Sequence, residues 1–441
     1  MKQGEVIPAP GIEPATPRER RILMVSELFP EESHIGFAVF GSYQRLRRHL
    51  EAVNELGRVD AIFVWHANFD ISKEEVEAMR VRIQPHWPIS GEITVVGAAF
   101  GRSRRSIETA LWTLRGGVSF TYFPEFTIFE ESQAVKVREA IRACQPDLIF
   151  AHRLGAMGLL IRSRERLPPV VLDIDDMEHV RVARMAIDGT RLWPVVRRRA
   201  LLEIARLTTC IATERASVSL LCSEHDRKIL SDMVPGARFE VLSNATRTVD
   251  FYPPASTPTA LFIGLAHYPP NAEAIHSLIR EIWPRVRRLV PTAELTIIGQ
   301  GALTIAGSDP ENGINVFDFE ADLSGFYRNA RIAVCPIQSG GGTRVKIIEA
   351  AVYGRPVVST TIGAEGLSFT PGSEILIADG PDAFAQACAG LFLDGSRCEQ
   401  IGLAARKRAM DEYSHERIVA RLSGILTGVL EGETADGRLR R

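Results

Sequence analysis

The chain has 441 residues, enough for two or three domains, and its content of 45% hydrophobic, 24% charged and 7% aromatic residues is that of ordinary globular protein. A net charge of −2 excludes a global field for nucleic acid or an anionic membrane, and no run approaches the ~18 consecutive apolar residues of a membrane span. Six cysteines with no C-x-x-C pair exclude an obvious disulfide or metal framework and read as reduced thiols of a cytoplasmic protein.

Residues 1–20 are Pro-rich and polar, which predicts a disordered tail with no secretory signal. Short β-branched apolar runs then predict buried strands at 21–29, 59–65, 93–99, 146–152, 169–175 and 217–223. Helical patterns fill gaps between them at 41–56, 73–83, 131–144 and 192–213. The segment ATRTVDFYPPASTP (245–258) breaks the pattern with prolines and polar residues and reads as an interdomain linker. A second series of strands follows at 259–265, 293–299, 314–319, 331–337, 355–360 and 374–379. Helices are expected between them at 271–290, 321–329, 343–353, 381–393 and 395–412. Strands alternating with helices imply parallel sheets covered on both faces. The chain thus divides into a doubly wound α/β domain over 21–250, a second over 251–410, and a terminal segment 411–441. Neither first strand is followed by G-x-G-x-x-G, so a dinucleotide fingerprint is missing.

The segment SGGGTRVKIIEAAVYGRPVV (339–358) carries the most chemistry. Gly340, Gly341 and Gly342 form a loop that opens onto a helical pattern, so backbone N–H groups and a helix N-terminus converge on one point. Arg344 and Lys346 add positive charge at an end that normally favours negative residues, which points to an anionic ligand. Lys346 and Glu349 lie about one turn apart on one face. A cation for phosphate and a carboxylate for two vicinal hydroxyls read as a nucleoside-diphosphate site.

The second half, from LFIGLAHYPPNAEAI (261–275) through PTAELTIIGQG (291–301) and VFDFEADLSGFYRNARIAVCPIQSGGGTRVKIIEAAVYGRPVVSTTIGAEGL (316–367) to DEYSHERI (411–418), resembles the nucleotide-binding domain of glycosyltransferase family 4. The first half resembles that family more loosely, in LFPEESHIGFAVFGSYQRLRRHL after the first strand and in VLSNA (241–245). The resemblance implies a GT-B fold: two Rossmann-like domains, the donor cleft between them, and a last helix crossing back to the first domain. It implies a retaining transferase using a nucleoside-diphosphate sugar as donor substrate, with no cofactor and no metal. Members of the family commonly carry two glutamates eight positions apart around the glycine loop; here the second is Glu349 and the first is replaced by Gly341. The Gly-Gly-Gly-Thr-Arg form recurs in a subgroup of the family. The basic pair often found after the first strand of this domain is absent from AHYPPN, so Arg344 and Lys346 are expected to carry more of the phosphate charge.

On that resemblance the donor is expected against Gly264, His267, Asn271, Gly299, the loop Gly340, Gly341, Gly342 and Thr343, and the turn Gly363, Ala364 and Glu365. His152, Arg344, Lys346 and Glu349 are the expected catalytic set, with His152 contacting the sugar from the end of the strand PDLIFAH. Gly36, Asp175 and Asp176 are expected on the acceptor side, and the VLDIDDMEH segment, with His179 nearby, is not expected to bind metal. The basic and apolar stretch RLWPVVRRRALLEIARL (191–207) is either a surface helix packed on the domain or a contact with an anionic membrane carrying a lipid-linked acceptor. The expected protein is therefore cytoplasmic, with a peripheral position on the inner face of a membrane as the alternative, and active on a carbohydrate or lipid-linked acceptor. A sugar-nucleotide 2-epimerase on the same scaffold and a non-catalytic nucleotide-sugar-binding protein are the alternatives.

Overall fold

A computed structural model describes residues 19–28, 41–65, 72–83, 87–97, 114, 120–122, 125–127, 131–184 and 192–432. The expected glycine loop around Gly36 and nearly all of the expected N-terminal tail lie outside these residues. Along the first domain come β1 (Arg21–Ser26), β2 (Arg58–Trp65), β3 (Ile93–Gly97), β4 (Phe120–Tyr122), β5 (Glu125–Thr127), β6 (Leu148–His152), β7 (Val170–Ile174), β8 (Val218–Leu221) and β9 (Phe239–Val241). β4 and β5 form a small antiparallel hairpin. The others make one parallel sheet in the order β3-β2-β1-β6-β7-β8-β9. The second domain holds β10 (Thr259–Ile263), β11 (Glu294–Ile298), β12 (Ile314–Phe317), β13 (Ile332–Cys335), β14 (Val357–Ser359) and β15 (Leu376–Ile377). These are parallel in the order β12-β11-β10-β13-β14-β15. Both are doubly wound sheets of the kind read from the sequence.

The chemistry of the runs explains the layers. RILMVS, LIFAH and VVLDI are almost entirely buried because helices cover both faces of the sheet, so no alternation with polar residues is needed. Strand order reverses between β1 and β6 in one domain and between β10 and β13 in the other. At such a switch point two loops diverge and leave a crevice beyond the carboxyl ends of the strands.

The structure adds helices that the hydrophobic pattern did not announce, at Leu154–Ser163, Glu178–Ala183 and Glu224–Met233. The first carries Gly155 and Gly158, which disfavour helix locally; Gly155 leaves room for buried Glu27, whose Oε1 would lie 2.0 Å from a Cβ there. The third had a legible start, because the Ser223 side chain accepts from the Asp226 N–H as an N-cap. The helix expected over 271–290 is broken into Pro269–Ser277, a π-turn at Leu278–Ile282, and Trp283–Leu289. Pro284 lacks the amide hydrogen an unbroken helix would use.

Two chain crossings join the domains side by side: Thr246 pairs with Ser414, and the Thr246 N–H donates to the Tyr413 carbonyl. Beyond the second crossing, His415–Leu430 runs back onto the first domain and buries Ile418, Leu422, Leu426 and Val429 in its core. The linker segment is fastened to the second domain. Arg355, fully buried, donates to the carbonyls of Tyr252, Pro253, Tyr353 and Ala330, and Arg406 donates to those of Val249 and Val352. Among the described residues no helix is long and apolar enough to cross a membrane. Leu192–Arg215, which contains most of the basic stretch, buries Ala205, Thr209, Ile211 and Ala212 against its own domain.

Leu426→Ala tests the returning helix. It should destabilise the protein by about 2–5 kcal/mol in urea unfolding, as expected for a leucine truncated in a packed core. A loss below ~1 kcal/mol would show that the helix does not complete the first domain's core.

Candidate functional site

The carboxyl ends of the two sheets face each other across the domain interface. On the C-terminal wall, the glycine loop follows β13 and leads into the helix Val345–Val352. Gly340 and Gly342 have φ of 91° and 67°, a left-handed region that favours glycine. The helix begins at Val345, so Thr343 and Arg344 precede it rather than forming its first turn. Arg344 turns its guanidinium back onto the carbonyls of Ser339, Gly341 and Gly342. In this structure it braces the loop instead of projecting from it as the second free cation that the spacing suggested.

Lys346 is the cation that points into the crevice of this domain. Its Nζ donates to Asn271 Oδ1 at 2.8 Å and lies 4.4 Å from the centre of the Phe262 ring. Asn271 is fixed in turn by donating to the Leu265 carbonyl at 2.9 Å. Gly264 leaves room for this pair, because a Cβ there would sit 2.7 Å from Lys346 Nζ and 2.8 Å from Asn271 Cγ and displace both. Gly299 is required one strand away, where a Cβ would lie 1.8 Å from the Gly264 carbonyl oxygen. Burial pulls the Lys346 ammonium down to about 8, and Arg344 adds to the effect. One turn on, Glu349 accepts from the Tyr327 hydroxyl at 3.2 Å. Burial raises its carboxyl, while hydrogen bonds from Tyr327 and Gln44 and the nearby charges of Arg48 and Lys346 hold it down. Gln44 and Arg48 belong to the first domain, on the helix Gly41–Asn54. His267 is exposed at the rim. Gly363 is buried against Ser359 and Cys335, and Ala364 packs partly buried against the core of the second domain.

The floor of the N-terminal wall is a buried ion pair. Arg45 donates through Nε and a terminal nitrogen to both Asp173 oxygens, at 2.9 and 2.6 Å. His152 is fully buried against this pair, with Nδ1 3.0 Å from Ser26 Oγ and Nε2 3.8 Å from Asp173. Burial lowers its pKa to about 3, so the ring is neutral. It sits at the switch point, as a strand-end residue should, but beneath the surface of the crevice. His49, His152 and Asp173 bring potential ligand atoms within 4.8 Å of one another. A metal fits them poorly, because Arg45 already occupies both carboxylate oxygens and its charge opposes a cation. His179 lies outside that group.

Asp175 and Asp176, adjacent in sequence, do different things. Asp175 accepts from Arg153 and from the Ser42 hydroxyl, each at 2.7 Å. Despite its burial, the charges of Arg153 and Arg45 hold its carboxyl far below the usual range. Asp176 faces the glycine loop of the opposite domain. The interface is then closed by polar contacts that sequence spacing did not disclose. Arg184 holds Glu365 by two bonds of 2.6 and 2.8 Å and also donates to the Gly340 carbonyl at 2.9 Å. Asn244, from the VLSNA segment, donates to Thr343 Oγ1 at 2.9 Å. Glu365 and Thr343 thus meet the other domain directly. No local signal marked Arg184, which follows the short helix Glu178–Ala183.

Residues 257–394 match the family model described as Glycosyl transferases group 1. In sequence, the chain is 29% identical over 174 residues to the GDP-mannose-dependent alpha-(1-6)-phosphatidylinositol monomannoside mannosyltransferase of Mycolicibacterium smegmatis, covering 36% of this chain and 45% of that protein. It is 24% identical over 168 residues to an uncharacterized protein in the cps region of Klebsiella pneumoniae, covering 36% of this chain and 43% of that one. The alignments span less than half the length of these curated relatives. Solved structures match over nearly the whole chain. Sucrose-phosphate synthase from Thermosynechococcus elongatus has a TM-score of 0.63 at 15% identity, covering 93% of this chain and 99% of that one. TarM of S. aureus gives 0.64 at 11%, covering 94% and 99%. Anabaena HepE, solved with UDP and glucose, gives 0.62 at 12%, covering 93% and 100%. The chain has the GT-B fold of these glycosyltransferase structures, and the family model supports the same superfamily.

The lowered Lys346 pKa sets a pH dependence. The folded state loses this proton near 8 while the unfolded chain keeps it until the ordinary lysine range. Conformational stability from this group therefore rises with pH above about 8. Affinity for an anion should move the other way, because only the ammonium attracts it. Titrating UDP, GDP and ADP from pH 7 to pH 9.5 should show the bound diphosphate weakening above about 8, with that slope absent in Lys346→Met. An unchanged slope in the variant would remove Lys346 from the anion site.

Proposed function

We propose that this protein is a glycosyltransferase that moves a sugar from a nucleoside-diphosphate sugar to a carbohydrate or lipid-linked acceptor, with retention of anomeric configuration. One juxtaposition carries the reading. At the switch point of the second domain, a left-handed glycine loop, the N-terminus of Val345–Val352, Lys346 and, one turn on, Glu349 converge on a single crevice. Loop amides and helix end suit the diphosphate, Lys346 adds a full charge, and Glu349 suits the vicinal hydroxyls of a ribose. The match of this domain to Glycosyl transferases group 1, and the UDP held by the similar Anabaena fold, support the same reading.

Cleavage of the sugar–phosphate bond builds negative charge on the departing diphosphate. Amides and an ammonium already aimed at that charge need no reorganisation as it forms, and one such donor typically contributes ~2.7–4 kcal/mol to the barrier. In this proposal charge neutralisation rests on protein groups, and no metal is assigned. The acceptor enters from the N-terminal wall. Closure of the domains assembles the two walls and excludes water.

A thermal-shift screen with UDP, GDP and ADP, followed by a donor panel read by nucleotide release, tests the proposal. At least one diphosphate should stabilise the protein. Lys346→Ala and Glu349→Gln should each lower turnover at least tenfold, or about 1.4 kcal/mol in the barrier, while leaving the circular dichroism spectrum unchanged. Near-wild-type rates in both variants would sink the site. Donor conversion without transfer to any acceptor would identify an epimerase instead.

A further inference from the structure

Gly341 is not in the left-handed region that Gly340 and Gly342 occupy, so its backbone does not require glycine. A Cβ at position 341 would meet Asp176 Oδ1 at 2.3 Å, so any side chain there would displace that carboxylate. A Cβ at Gly342 would lie 3.6 Å from the same oxygen. Asp176 therefore rests directly over the loop, although it belongs to the opposite domain and follows β7.

We propose that Asp176 is a donor-side residue, which accepts a hydrogen bond from a hydroxyl of the donor's sugar across the cleft and so supplies from the N-terminal domain a carboxylate that the C-terminal loop lacks. The proposal rests on the nucleotide-sugar reading above. Its neighbour Asp175 accepts through Oδ2 from Arg153 and Ser42, whereas Asp176 Oδ1 is cut off from solvent with no hydrogen-bond partner. A shielded acceptor without a donor is unfavourable unless a ligand provides one. The loop beneath it offers N–H groups, which suit a phosphate. The ligand group that matches a carboxylate there is an adjacent O–H, and a sugar attached to the diphosphate presents several.

Burial pushes the Asp176 carboxyl up to about 6, with Asp175 and Glu178 adding to the effect and the charges of Arg344 and Arg181 opposing it. Arg184, which also holds Glu365 and the Gly340 carbonyl, completes a basic rim. The sequence fits the same arrangement. In the resemblance described above, the first of two glutamates falls at position 341, and in this chain the space of that side chain is filled from across the cleft by Asp176.

The experiment separates sugar recognition from nucleotide binding. In Asp176→Asn and Asp176→Ala, affinity for whichever of UDP, GDP or ADP stabilises the wild-type protein should stay within about threefold, while kcat/KM for the sugar donor falls at least tenfold. The exchange Asp176→Gly with Gly341→Glu should recover part of the activity lost in Asp176→Gly alone. Gly341→Ala should impair the wild-type background and add no further loss when Asp176 is glycine. Unchanged kcat/KM in Asp176→Asn, with Lys346→Ala still inactive, would overturn this proposal and leave the transferase reading standing. Equal loss of diphosphate binding and transfer in the Asp176 variants would also overturn it, by assigning Asp176 to the architecture of the closed cleft. A wild-type protein that binds none of the three diphosphates would remove the transferase reading, and this proposal with it.

Discussion

The buried pair between Arg45 and Asp173 is the interaction on which the geometry of the cleft depends. Asp173 sits near the carboxyl end of β7, and Arg45 lies on Gly41–Asn54, the helix whose first residues reach the other domain. A Cβ on Gly41 would come within 3.1 Å of Val345, so this helix start abuts the helix that follows the glycine loop. Arg45 also donates to the Leu242 carbonyl at 2.9 Å and lies 3.4 Å from Asn244 Oδ1. Asn244 then reaches Thr343. One guanidinium thus connects the sheet, the helix and the segment that touches the glycine loop. Removing one partner of such a buried pair typically costs about 3–5 kcal/mol, because the other charge is left uncompensated. The neutral state of His152 follows from the same burial.

Polar contacts cross between the domains at the loops that would hold a ligand. Arg184 binds Glu365 and the Gly340 carbonyl, Asn244 binds Thr343, and Gln44 and Arg48 lie against Glu349. Side chains of one domain therefore complete the electrostatics of the other. Polar contacts of this kind can be exchanged for ligand or water at modest cost, unlike a large apolar interface. The linker is by contrast fastened to the second domain by Arg355 and Arg406.

Glycines illustrate how one residue type answers different constraints. Gly340 and Gly342 provide backbone angles. Gly264 leaves room for an ammonium, Gly299 for a neighbouring carbonyl, and Gly341 for a carboxylate from the other domain. In sequence, the three loop glycines look alike. They are distinguishable only once the atoms facing each are known.

The sequence by itself determined the two doubly wound sheets, because buried parallel strands leave continuous apolar runs such as RILMVS and VVLDI. It also marked the candidate glycine loop, since glycines, a following helix and Lys346 with Glu349 one turn on are local in the chain. Element ends and the helices at Leu154–Ser163 and Glu178–Ala183 were not legible, because burial rather than propensity stabilises them. Tertiary structure alone decided which charges remain free. It turned Arg344 back onto its own loop, sank His152 beneath the crevice, joined Arg184 to Glu365, and set Asp176 over Gly341 while Asp175 was consumed by Arg153. These are contacts between residues far apart in the chain, and hydrophobic period or motif spacing carries no information about which partner a side chain will meet.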